Sequence, residues 1–310
     1  MALALPPTQW NDRAPVLLAA MGAVLVFMSL VALGLAALAR TDRSRAVAKD
    51  FRARTIGWWL LVAVYLPSVL AGGLVVTAVF AVTGLVVWFE FSRCARPAAL
   101  AARDLVWAAP LVAAHFAAVA DILPVGVGVV LAVAAGLLAL TAQRAGSEDA
   151  GSRLFWRVAG YGYGVAGLAA LPALGLRYGA GWLFFLMVVV PAGDVAQYVV
   201  GKLAGRHLLA PMLSPHKTWE GLVGGVAVSV LLAAGLSSLA GLGPVAGAGW
   251  GAALALAGTG GGLLMSAVKR RFGVKDFGAW LPGHGGLLDR FDSLVAAAGV
   301  AYVGLVVFLR

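Results

Sequence analysis

The chain has 310 residues, of which 62% are hydrophobic and 12% charged, against about 45–50% and about 25% in an ordinary soluble domain. With a mean hydropathy of +0.95, this excludes a soluble globular fold, because so few polar groups cannot cover so much apolar surface. The single cysteine, Cys94, excludes an intrachain disulfide or a cysteine-based zinc site, and the net charge of +10 indicates nucleic acid only if topology does not already explain it.

Apolar runs fall at residues 15–39, 56–72, 73–92, 104–120, 122–142, 154–176, 179–200, 219–241, 244–266 and 292–309. About 20 apolar residues span a bilayer as a helix, and a helix in lipid satisfies its own backbone hydrogen bonds. The expectation is therefore an all-α polytopic membrane protein of about ten spanning helices, or nine. The second and third runs are contiguous and are divided at Gly72-Gly73, because one helix of that length would overshoot the membrane. Asp12 and Arg13 offset each other before the first run, which is longer than a signal-peptide core. Ala37-Leu38-Ala39 does resemble a cleavage site. No repeat, low-complexity tail or soluble segment is visible. The reading is one membrane domain over residues 1–310, with a catalytic part at about 190–310 and accessory helices at 15–176.

Assigning alternate inter-helix segments to one side gathers the cations. Arg40, Arg43, Arg45, Lys49, Arg52 and Arg54 fall there, then Arg93, Arg96 and Arg103, then Arg144, Arg153 and Arg157. Lys202, Arg206 and Lys217 follow, and finally Lys269, Arg270, Arg271, Lys275 and Arg290. These are 20 of the 23 Lys and Arg; Arg13, Arg177 and Arg310 remain outside. The positive-inside rule makes the basic side cytoplasmic, and no nucleic-acid surface is needed to account for the charge. Trp58, Trp59, Trp88, Trp107 and Trp156 are placed in an aromatic belt near the inner helix ends. His115 reads as a packing residue within an apolar helix, and Gly258–Gly262 as a site of close helix packing.

Two inner segments carry chemistry. Ser266–Ser293 contains Lys269, Arg270, Arg271 and Lys275 together with Asp276, Asp289 and Asp292, and Gly283, Gly285 and Gly286 surround His284. Glycines there let backbone N–H groups approach an anion as a nest. Asp289 and Asp292 are three apart, so a helix entering the last span puts both carboxylates on one face. Paired hard oxygen ligands suit magnesium, which is usually held by one or two carboxylates plus substrate phosphates. The alternative is a surface pair at a helix start with Asp292 as N-cap. The second segment runs from Asp194, Gln197 and Tyr198 at a helix end through Ser214-Pro215-His216-Lys217-Thr218-Trp219-Glu220-Gly221. An ionisable residue such as Asp194 at membrane depth faces protein or a wet cavity. Lys217 lies between two hydroxyl residues that suit a phosphate.

These residues resemble the phosphatidate cytidylyltransferases (CDP-diacylglycerol synthases). Ser266-x-x-Lys269-Arg270, Lys275-Asp276, Pro282-Gly283-His284-Gly285-Gly286 and Asp289-Arg290-x-Asp292 match that family's signature and spacing. Ser214-Pro215-x-Lys217-Thr218-x-Glu220-Gly221, preceded by Asp194 and Tyr198, is similar to its second loop. The resemblance covers about the last third of the chain and implies cytidylyl transfer from CTP to phosphatidate, giving CDP-diacylglycerol and pyrophosphate with magnesium. It makes Asp289, Lys269, Lys217 and His284 the catalytic group. Ser214, Thr218, Ser266, Arg270, Lys275, Gly285, Gly286 and Arg290 then bind phosphates, and Asp289 and Asp292, supported by Asp276 and Asp194, bind metal. For His284, phosphate contact is preferred over general-base action, since the attacking phosphate is already ionised.

The chain departs from the family pattern at Gly262, where an aspartate is usual, and at Met265, His216 and Gln197. Glycine offers no side-chain ligand, so Asp194 and Asp276 are the candidates to replace it. The implied localisation is a bacterial inner membrane with the site facing the cytoplasm. The implied partners are CTP, membrane lipid and phosphatidate or a related lipid phosphate. A second, monovalent ion and a homodimer are compatible with the residues, and nothing in the sequence requires either. A transporter or non-catalytic lipid-binding relative is the alternative of a different class, disfavoured because the unusual polar residues gather at one surface rather than mid-membrane.

Overall fold

A computed structural model describes residues 42–95, 101–119, 158–279 and 285–308, with isolated helical positions at 22, 26, 29, 30, 33, 37 and 156. The expected spans at 15–39, apart from those positions, and at 122–142 lie outside the described residues. His284, the Trp280–Gly283 stretch and the side chain of Trp107 do so too. Among the described residues the regular structure is helical apart from one small hairpin, with short turns and the α7–α8 loop between elements. The elements are α1 (Asp42–Ala71), α2 (Gly73–Ala95), α3 (Ala101–Val119), a π-helical turn (Tyr161–Ala166) leading into α4 (Gly167–Tyr178), and α5 (Ala180–Ala204). There follow β1 (Leu208–Ala210), β2 (Ser214–Thr218), α6 (Trp219–Leu236), a 3-10 turn (Ser237–Ala240), α7 (Pro244–Arg271) and α8 (Leu288–Phe308). Six of the described helical stretches are long and apolar enough to cross a membrane.

The break between α1 and α2 is where the glycines place it. Gly72 and Gly73 have φ of +64° and +49°, a conformation that residues with a Cβ rarely adopt. α1 begins earlier than its apolar run. It extends through the basic cluster to Asp42, because Arg, Lys and Ala are strong helix formers whether or not lipid surrounds them. At about 1.5 Å per residue, the portion before Thr55 projects about 20 Å beyond the apolar part.

The core lies where α2, α4, α5, α7 and α8 meet, around Phe80, Leu168, Leu171, Leu174, Phe185, Leu186, Leu254 and Leu288. Tyr65, Phe80 and Phe291 form an aromatic cluster joining α1, α2 and α8, with Phe80 and Phe291 edge-to-face at 6.2 Å. Small residues let α5, α6 and α7 approach closely. A Cβ on Gly225 would lie 2.8 Å from the Gly193 carbonyl, and one on Gly251 2.5 Å from that of Ser229. With no hydrophobic drive between helices in lipid, such close contact is what holds them together. Gln197 reinforces it, donating from Nε2 to Thr259 Oγ1 at 2.7 Å.

Two belt assignments are corrected. Trp88 is 8% exposed and belongs to the core. Trp156 packs edge-on against Phe272 at 4.8 Å. Trp59 alone of the described set has the exposed position expected, with its indole N–H on Ser29. His115 packs against Phe116 and Tyr161 as expected.

Candidate active site

The segment between α5 and α6, read from sequence as a loop, is an antiparallel hairpin with Leu208 opposite Thr218 and Ala210 opposite Ser214. Its base is fixed by side chains expected to bind phosphate or given no role. Thr218, buried, caps α6 by accepting the Gly221 N–H at Oγ1. Glu220 accepts from the backbone N–H groups of Arg206 and His207 at 3.1 and 3.2 Å and pairs with His207 Nδ1 at 2.6 Å. Arg270, at the end of α7, reaches the Leu213 carbonyl from Nε at 3.4 Å. The hairpin and the α7–α8 loop therefore lie at the same end of the bundle.

In that loop, Asp289 is 6% exposed and its carboxylate is fully engaged. Oδ1 pairs with Lys269 Nζ at 2.9 Å, and Oδ2 accepts from the backbone N–H groups of Phe277 at 2.8 Å and Gly286 at 2.9 Å. One donor of the expected nest, the Gly286 N–H, thus binds the protein's own carboxylate. Gly285, with φ of +76°, makes the turn beside it, against the side chain of Asp276. Lys269 also lies over the Phe277 ring, 5.5 Å from its centroid.

α8 begins at Leu288, which corrects the alternative reading of Asp292 as its N-cap. Asp292 sits in the second turn, where Oδ1 accepts the Ser293 N–H at 2.7 Å. Its Oδ2 faces Gly262 and the ammonium of Lys217: a Cβ placed on Gly262 would stand 3.0 Å from Lys217 Nζ and 4.0 Å from that oxygen. Asp194 of α5 completes the group. It lies within electrostatic range of Asp292, Lys217 and Arg290 and near Ser293, whose hydroxyl donates to Asp292 Oδ1 at 3.4 Å. Gly262, where the family resemblance led to the expectation of a carboxylate, therefore lies among Lys217, Ser293 and Asp292. Asp276 lies on the far loop next to Gly285 instead. Ser266 donates to the Gly262 carbonyl of its own helix at 2.7 Å. Arg270, Lys275 and Arg290 are exposed, and Ser214 is half-buried in β2.

Two residues were missed from the sequence. Glu90 of α2, 2% exposed, accepts the Leu287 and Leu288 N–H groups at 2.9 and 2.8 Å. It was visible as the lone carboxylate in the 73–92 run, where an ionisable residue is a functional candidate by default. Tyr163, in the π-helical turn, donates its hydroxyl to the Asp292 carbonyl at 2.6 Å. Its sequence gives no comparable signal, although such turns often occur at functional sites.

Among the described residues, no group of three or more Asp, Glu, His or Cys stands close enough to cage a metal ion. The donor set is a pair, Asp194 and Asp292, with hydroxyl and ammonium neighbours. That pair suits an ion shared with phosphates.

Residues 52–308 match the model of the cytidylyltransferase family. The chain belongs to that family. It is 47% identical over 131 residues to a phosphatidate cytidylyltransferase of Mycobacterium leprae, covering 41% of each chain. It is 43% identical over 160 residues to one of Brucella suis, covering 48% of this chain and 56% of that one. A protein of Escherichia coli, YnbB, is 42% identical over 139 residues, covering 44% and 46%. The matched stretch thus spans about half of these relatives' length or less.

Proposed function

We propose that this protein transfers the cytidylyl group of CTP to phosphatidate at the cytoplasmic face of the membrane. The observation that carries the reading is the convergence of Asp194, Asp292, Lys217 and the Lys269–Asp289 pair at one end of the bundle, on residues that match the family signature. Relatives named phosphatidate cytidylyltransferase support the substrate.

In this reaction a lipid phosphate oxygen attacks the α-phosphorus of CTP and the bond to pyrophosphate breaks. The chemical difficulty is bringing two anions together and stabilising charge on the leaving group. Lys217, on β2 of the hairpin with its ammonium near Gly262 of α7, and Arg290 and Arg270, exposed at the same end, bind and orient the phosphates. Lys269 is held by Asp289, with its ammonium over the Phe277 ring. Asp194 and Asp292 would hold a magnesium ion together with the substrate phosphates, and that ion would supply charge neutralisation. Phosphatidate presents its phosphate at headgroup depth, while CTP arrives from water. The end of the bundle carrying the basic segments fits both requirements.

The test is formation of CDP-lipid by purified protein from labelled CTP, magnesium and phosphatidate, with and without chelator, and with ether-lipid or isoprenoid phosphates in parallel. Product that requires phosphatidate and disappears with chelator is expected. Absence of product with every lipid phosphate, by protein that is folded, overturns the reading.

A further inference from the structure

We propose that Glu90 is a positioning residue for the α7–α8 loop, holding it in its working place from the opposite half of the chain. This inference rests on the transfer reading above for its kinetic consequence but not for its structural one.

Leu287 and Leu288 stand at the start of α8, and their side chains have no acceptor for the free N–H groups of a helix N-terminus. Those groups are instead accepted by both oxygens of Glu90, 197 and 198 residues earlier. The loop is shaped around that carboxylate. A Cβ on Gly286 would meet Glu90 oxygens at 2.6 and 2.7 Å, and one on Gly278 would meet Oε1 more closely still. Glu90 therefore touches the loop near its middle, at 278, and again where it enters α8, at 286–288. Its neighbours on α2 complete the dock. Phe91 stacks on Phe277 at 5.8 Å, and Cys94 donates from Sγ to the Phe277 carbonyl at 3.3 Å.

The same loop residues serve the site. Phe277 and Gly286, flanking the Glu90 contacts, donate to the Asp289 oxygen opposite the one that holds Lys269. A shift of the loop on α2 therefore moves Asp289 and, with it, the ammonium of Lys269. A buried carboxylate lined by backbone donors at the positive end of a helix needs no cation partner. Its burial and its lack of an exposed face fit a structural clamp acting on the site rather than a group that contacts substrate.

Cys94, the single cysteine of the chain, reports loop docking independently of activity, because Phe277 covers it only while the loop is seated. The experiment compares wild-type protein with Glu90→Gln, Glu90→Ala and Thr83→Ala. Maleimide labelling of Cys94, the thermal midpoint, and kcat and KM for CTP are measured for each. Thr83 is a buried hydroxyl on the same helix, bonded to Tyr65 and remote from the loop, so its variant controls for loss of α2 packing. Hydrogen bonds to a buried charge are strong enough that Glu90→Ala is expected to raise the labelling rate and lower kcat by at least about tenfold. Glu90→Gln, which keeps one acceptor and folds more readily, is expected to fall between Ala and wild type, and Thr83→Ala should change neither quantity. Unchanged labelling in both Glu90 variants, or an equal rise in Thr83→Ala, overturns the proposal. If wild-type protein forms no CDP-lipid, the transfer reading fails, and the labelling result alone still decides whether Glu90 seats the loop.

Discussion

Removing the Asp289 carboxylate is the most demanding perturbation of this site, because that group both seats the loop and holds Lys269. Asp289→Asn keeps one oxygen and puts an amide N–H₂ in place of the other. In one orientation the amide faces the Lys269 ammonium. In the other it faces the N–H groups of Phe277 and Gly286, donor against donor. The side chains of Lys269 and Asp289 are only 13% and 1% exposed, so water cannot take over the lost contacts. Breaking a buried pair from one side destabilises by about 3–5 kcal/mol, and the loop is the part able to release that strain by undocking. Lys269→Met is milder, because Asp289 keeps its two backbone donors. In the double variant the isolated ammonium is gone, so its loss of stability should be smaller than the sum of the two single losses. Activity should behave differently: both singles and the double should lose transfer, since none retains a positioned Lys269 ammonium. The assay is the thermal midpoint in detergent together with CDP-lipid formation for all four proteins. Additive stability losses would show that the pair does not act as a unit, and wild-type turnover in Asp289→Asn would refute the reasoning outright.

Other perturbations test separate contacts. Gly262→Asp adds a carboxylate facing Lys217 and Asp292; it should lower the magnesium concentration needed for half-maximal transfer and make the thermal midpoint magnesium-dependent, whereas a midpoint indifferent to magnesium argues against an ion there. Asp194→Asn should raise that magnesium requirement, read from a titration of transfer rate against magnesium. Thr218→Val removes the cap of α6 and should lower stability by about 1 kcal/mol, with Thr218→Ser close to wild type in the same melt. Gly286→Ala should impair loop docking by pressing on the Glu90 carboxylate, and pairing it with Glu90→Ala should relieve part of that effect on Cys94 labelling, giving a non-additive cycle.

Much of this architecture is legible in the sequence. Span lengths and the Gly72-Gly73 break follow from bilayer thickness and backbone sterics, which act on short windows of sequence. The hairpin was not legible: its strands are three and five residues long, and Pro211 and Pro215 interrupt any alternation. The early start of α1 was also missed, because an apolar-run reading detects lipid contact rather than helix. At the site, sequence spacing brought forward the residues that meet but not their partners. Asp289 and Asp292 share a helix, yet one faces the loop and the other faces Gly262 and Lys217, since the chains packed around α8 differ from one turn to the next. Thr218 and Ser266 have the hydroxyls expected of phosphate ligands. Their backbone contacts at a helix cap and within a helix are local, and a motif alone does not reveal them.

The carboxylates that engage the Gly286, Leu287 and Leu288 N–H groups bear on where substrate charge would be met in the proposed reaction. Helix N-termini and glycine turns commonly bind phosphates through free N–H groups, and the segment around Gly285 and Gly286 looks suited to this. Here the donors of Phe277 and Gly286 face Asp289, and those of Leu287 and Leu288 face Glu90. Two of the protein's own carboxylates already neutralise the positive end of α8. Under the proposed reaction, the described groups left to meet an incoming triphosphate include the side-chain cations Lys217, Lys269, Arg270, Lys275 and Arg290, and Asp194 and Asp292 would be the carboxylates to hold a divalent ion. Side-chain cations are held less rigidly than backbone amides, so their placement depends on clamps. That accounts for a network in which a helix from the first half of the chain, through Glu90, and the π-helical turn, through Tyr163, both grip the first turns of α8.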